Sequence, residues 1–181
     1  MSTRVRVRRH NRYAADRVAR QAIVGMAAGL LGGLAMNVFS RVVRDDTRGR
    51  GVQPAQARRS PNADAAVKTG ALVYRTVTGH NAPRSKKQTL GVAAHYSFSA
   101  ALGMTYALLA TALPSVRAAF GMLYGALVWA VADEGVTPAL GLSRDPRDLP
   151  LGVHVYSLCG HGVFGATLEA VSRCADSITT S

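Results

Sequence analysis

From Gln21 to Phe39 the chain runs through nineteen residues without one charged side chain, directly after a segment that carries seven arginines. A helix of about 20 apolar residues spans the hydrocarbon core of a bilayer. Three later stretches, about 88–113, 118–140 and 151–171, are also long and mostly apolar. The expected fold is all-α: a polytopic membrane bundle of about four transmembrane helices plus one amphipathic surface helix.

This expectation divides the chain into a basic tail (1–20), a first span (21–40), a basic loop (41–87), a three-helix transmembrane core (88–173) and a short tail (174–181). Mean hydropathy, +0.09, averages over two unlike populations. The tail holds Arg4, Arg6, Arg8, Arg9, Arg12, Arg17 and Arg20, and the loop holds 11 more of the 22 basic residues. A signal peptide also begins with a basic segment, but Asn37, Phe39 and Arg41 stand where a cleavage site needs small residues, so the first span is read as uncleaved. The formal net charge of +12 flanks apolar spans, and no aromatic residues interleave with it as a stacking platform for bases requires. The expected partners are the lipid bilayer and anionic headgroups at the basic loop, with no nucleic acid.

Within the loop, Ser60-Pro61-Asn62 reads as a helix start. Ala63, Val67, Ala71, Tyr74 and Val77 then recur at helical spacing, with Asp64, Lys68 and Arg75 opposite, which gives an amphipathic helix over about 62–78. Such a helix lies on a membrane surface or packs on the ends of the spans. Orientation stays open, because the positive-inside rule draws both the tail and the loop to the cytoplasm and an intact first span separates them.

Gly25, Gly29 and Gly33 fall every fourth residue, followed by Asn37. Small residues on one face let another helix approach closely, and an amide can bond across the contact. The face is expected to be a packing seam, with self-association of the chain as one use of it. Pro114-Ser115-Val116-Arg117 and residues 143–148 are short connections, so the last three spans are expected to pack as neighbours.

Ionisable groups inside a bilayer are costly and face the bundle interior or a water-filled cavity. The spans contain His95, Asp133, Glu134, His154 and His161. Counting outward from each turn places His95, Asp133, Glu134 and His154 in one layer, with His161 about two turns further along. Glu169 lies four residues from Arg173, the spacing of an ion pair at the interface. Pro138 cannot donate a backbone bond to the carbonyl of Glu134, so the third span is expected to bend or stop there. The layer fits three roles: bonds that fix helix register, a proton relay or transport path, and a divalent metal site. No local ligand motif, G-x-S-x-G elbow or phosphate loop accompanies it. No cofactor and no catalysis are expected. Cys159 and Cys174 lie on one predicted helix, about 22 Å apart by rise, and are expected to be free thiols.

His95-Tyr96 with Gly103 and Tyr106, GALVWAVADEGVTPALGLS from Gly125 to Ser143, and HVYSLCGHGVFGATLEAVSR from His154 to Arg173 resemble the YagU-like family of bacterial inner-membrane proteins of unknown function. The resemblance covers roughly 90–173. It implies a small helical bundle in a bacterial inner membrane, and it brings no chemistry with it.

Overall fold

The computed structural model describes residues 2–49 and 61–180, and within these the side chains of 15–45 and 64–178. The loop segment 50–60, Ser60 included, lies outside the described residues, as do the side chains of Arg4, Arg6, Arg8, Arg9, Arg12 and Ala63. The described chain is all-α: α1 (Ser2–Gly49), α2 (Pro61–Thr78), α3 (Lys87–Ala112), α4 (Met122–Val128), α5 (Thr137–Ala139) and α6 (Leu151–Thr180).

The first helix is much longer than the apolar run that predicted it. Its 48 residues rise about 72 Å, more than twice a bilayer's hydrocarbon thickness. The basic stretch before Gln21 and residues 41–49 continue the helix on either side of the apolar run; neither contains proline, and the first is rich in the strong helix formers arginine and alanine. The end segment 174–180 likewise continues α6.

The helices stop for local reasons. Asp64 in the first turn of α2 and Arg75 in its last turn complement the helix dipole. Gly79 closes α2 at φ +72°, its N–H bonding the Arg75 carbonyl at 2.9 Å. Leu113 precedes Pro114 and is held extended, which ends α3.

Among the described residues, two stretches are long and apolar enough to cross a membrane: Ala15–Asp45, of 31 residues, and Pro114–Ala139, of 26 residues. Many large apolar side chains lie on the outer faces of the described helices. Val18, Ile23, Leu30, Leu34, Val38, Phe98, Leu127, Val131 and Val155 are exposed. The buried positions include Ala28, Tyr106, Tyr124, Val128, Phe164 and Leu168, together with Ser99, Ser157, His161, Glu169 and many glycines.

The packing order corrects the expected neighbourhood of the last three spans. α1 lies between α3 and α6, α2 packs on α3, and α4 packs on α6, while α3 and α6 barely touch. The backbones of α3 and α4 approach at the turn, and beyond it they meet through side chains, the Tyr124 hydroxyl donating to the Leu102 carbonyl at 2.8 Å and its ring packing on Tyr106. Glycines set three of the crossings. A Cβ on Gly25 would stand 2.6 Å from the Gly103 carbonyl oxygen, and one on Gly29 would collide with that of Ser99. Gly33 rests on the Ser99 side chain. The glycine face is therefore a seam with α3 of the same chain. Asn37, next in the series, donates from Nδ2 to the Tyr96 hydroxyl at 3.0 Å. Gly70 and Gly91 bring α2 onto α3, and Gly125 and Gly165 bring α4 onto α6. α2 thus packs on α3 through Val67 and Gly70, leaving Leu72, Val73 and Val77 exposed.

Candidate polar interior

The third span is not one α-helix. Trp129–Val136 forms a π-helix between α4 and α5, and the Thr137 N–H bonds the Ala132 carbonyl, five residues back. In that register the proline at 138 deprives the Asp133 carbonyl, rather than that of Glu134, of its donor. The Thr137 hydroxyl takes the place of that N–H, donating to the Asp133 carbonyl at 3.2 Å. The bend expected at Pro138 thus takes the form of a widened turn that carries both carboxylates. The helix ends just beyond, where the Leu142 and Ser143 N–H groups return to the Thr137 carbonyl.

Both acids find partners on α6. Glu134 Oε1 lies 2.8 Å from His154 Nδ1, and His154 Nε2 lies 3.1 Å from the Pro146 carbonyl. A carbonyl only accepts, so Nε2 carries a hydrogen, and the proton between Nδ1 and Oε1 belongs to one or the other. Either way the pair is neutral as a unit. Asp133 Oδ2 accepts from the Ser157 hydroxyl at 2.7 Å and lies 3.8 Å from His161 Nδ1. That nitrogen donates to the Ser157 carbonyl at 2.9 Å. Beside the carboxylates, Thr137, Ser143, Pro146 and Ser157 enclose about 20 Å³, room for about one water.

His95 is not a member of this group. Its Nε2 lies 3.4 Å from the Gly33 carbonyl on α1, and its ring meets Tyr96 edge-on. The depth count matched residues along the bilayer normal, but α1 holds the place beside α3 that α4 was expected to fill. His95 instead lines a larger, partly enclosed cavity of about 140 Å³ among α1, α2, α3 and α6, with Asn37, Gln88, Tyr96, Tyr156 and Ser157. Ser157 borders both spaces. Among the described residues no three His, Cys, Asp or Glu side chains converge as a metal site requires. Cys159 and Cys174 are free and exposed.

A second buried centre lies nearer the α3–α4 turn. Glu169 is wholly buried and fully engaged. The Tyr106 hydroxyl donates to Oε2 at 2.6 Å, Arg173 Nε to Oε1 at 2.6 Å, and Arg117 Nη1 reaches both oxygens at 3.3–3.4 Å. The Arg173 pair was legible from its spacing, but the tyrosine and the loop arginine were not. Arg117 belongs to Pro114–Gly121, where Ala119, Phe120 and Gly121 have φ of 50°, 56° and 77° in succession. Left-handed backbone costs a non-glycine residue about 1–2 kcal/mol. The turn is held by the Arg117–Glu169 contact, by Arg173 over the Phe120 ring at 5.0 Å, and by Gly121 against the Gly165 backbone.

Residues 54–170, which include α2, the π-helix and most of α6, match a family described as a protein of unknown function, DUF1440. The chain belongs to that family. The matched region begins well before residue 90, so α2 is part of the family unit and not a lineage-specific attachment to the core. It also contains both carboxylate pairs and Glu169. No curated protein and no solved structure matches the chain.

Proposed function

We infer that this chain is a multi-pass membrane protein, of the YagU-like kind in a bacterial inner membrane, whose interior polar groups hold the helices in register. The spans are α1, α3, the α4–α5 segment with its π-helix, and α6. The observation that carries the reading is the apolar surface: Ile23, Leu30, Leu34, Phe98, Leu127 and Val131 face outward, around an interior of glycine, alanine, tyrosine, Phe164 and Leu168 that also takes in Ser157, His161 and Glu169. Water penalises that arrangement and hydrocarbon does not. Lys68 and Arg75 on α2 suit anionic headgroups. The chain should stay with the membrane pellet after washing at alkaline pH and high salt. Release into the supernatant as a folded, monodisperse species would overturn the reading.

A register role and a transport role separate at Asp133. Movement of protons or a small solute is favoured by one observation, the 140 Å³ cavity that Ser157 joins to Asp133. For a register role, Asp133→Asn should lower the melting temperature in detergent while flux in proteoliposomes stays at background for wild type and variant alike. Wild-type flux that depends on pH and disappears in a folded Asp133→Asn protein would replace the register role with transport.

A further inference from the structure

The lining of the larger cavity carries hydrogen-bonding side chains on three of its four helices but no formal charge. Asn37 and Ser40 come from α1, Gln88, His95 and Tyr96 from α3, and Tyr156 and Ser157 from α6, while Ala66 and Val67 of α2 close it with apolar surface. These polar groups are incompletely used within the protein. Asn37 gives one amide hydrogen to Tyr96, which leaves its carbonyl oxygen as an acceptor and the Tyr96 hydroxyl hydrogen as a donor. The one bond of His95 is long, 3.4 Å against about 2.9–3.0 Å for a typical N–H···O contact. The Tyr156 hydroxyl likewise reaches the Ser40 carbonyl only at 3.4 Å.

Formal charges of both signs stand behind the lining. Arg44 donates to the Ser40 carbonyl at 2.9 Å, and Asp133 accepts from Ser157 at 2.7 Å. Neither sign dominates, so an ion entering the cavity would shed its water without meeting a counter-charge, which is costly. A neutral molecule with a donor at one end and an acceptor at the other loses far less. The volume approaches that of a 150 Å³ cavity that accepts benzene, so the occupant has up to about six non-hydrogen atoms.

We propose that this cavity is a binding site for a small uncharged molecule that both donates and accepts hydrogen bonds, of the amide, urea or short polyol class. The site concerns occupancy alone and stands whether or not its occupant crosses the bilayer.

Acetate, acetamide and acetamidinium share one shape and differ in charge, so they isolate the property at issue. Equilibrium dialysis of each radiolabelled probe against the purified full-length chain in detergent is the test. Acetamide should bind saturably, at least tenfold more tightly than either ion. Gly160 lines the cavity, and a Cβ there meets the flexible Met36 side chain at 3.4 Å and the edge of the Phe39 ring at 3.8 Å, both ordinary contacts or nearly so. Gly160→Leu should therefore fill the space, abolish acetamide binding and leave the helical circular dichroism and melting temperature near those of wild type. Asn37→Leu should weaken acetamide at least tenfold. Equal binding of an ion, no saturable acetamide binding, or undiminished binding by a folded Gly160→Leu protein would each overturn the proposal.

Discussion

Replacing Gly29 with leucine should destabilise the chain by about 3 kcal/mol, the upper end of what overpacking costs in a core. The side chain has nowhere to go, since even a Cβ at this position would fall on the Ser99 carbonyl oxygen. α1 would have to lift from α3 along the whole Gly25–Gly33 seam, loosening the Asn37–Tyr96 bond and the His95 contact with Gly33. Denaturant unfolding followed by circular dichroism in detergent measures the loss. Because the seam is within one chain, the loss should not vary with protein concentration. Gly162→Leu on α6 is the matched control: a Cβ there meets nothing within 4 Å, so its effect should stay within about 0.5 kcal/mol. A Gly29→Leu protein as stable as wild type would show that α1 does not pack on α3 as described.

Removing the Glu169 side chain should cost about 3–5 kcal/mol, the range for stripping one partner from a buried charge pair. In Glu169→Ala the Tyr106 hydroxyl is orphaned inside the protein, and Arg117 and Arg173 lose the carboxylate they share. The left-handed turn at Ala119 and Phe120 loses its tie to α6 as well. Arg173→Ala should cost much less, because that side chain is 59% exposed and water can replace it. The ordering is the sharper measure. If thermal unfolding finds Arg173→Ala as damaging as Glu169→Ala, the buried carboxylate is not the hub.

The two substitutions differ in how far the sequence announces them. Glycines every fourth residue on an uncharged helix advertise close packing, but they do not name the partner. Self-association and contact with α3 fit the same stripe. The complementary row on α3, Ser99, Gly103 and Ala107, is equally small and lies at the same spacing. Glu169 announced only Arg173, because four residues along a helix is a fixed distance, whereas Tyr106 and Arg117 reach it across 63 and 52 residues.

The acids and histidines divide along the same line. Adjacent helices joined by a short loop keep their depth relationship, which is why Asp133 meets Ser157 and Glu134 meets His154. Depth says nothing about which helix stands at the side, and His95 went to Gly33 on α1. The position of Pro138 announced a lost backbone bond. Only the π register decided that the orphaned carbonyl belongs to Asp133 and that Thr137 would satisfy it.

By itself the sequence determined the all-helical character, the helix ends at Gly79 and Pro114, and the company of carboxylates and histidines in the interior. These follow from the rise of a helix, the missing N–H of proline and the cost of burying charge, all of which act over a few residues or along one axis. Tertiary structure decided that α1 lies between α3 and α6, that the glycine seam packs on α3, and that the larger polar cavity opens beside His95 while only a water-sized space adjoins the carboxylates. Helix-to-helix choice turns on how whole faces of small residues fit, a property of pairs of surfaces that no single stretch of chain contains.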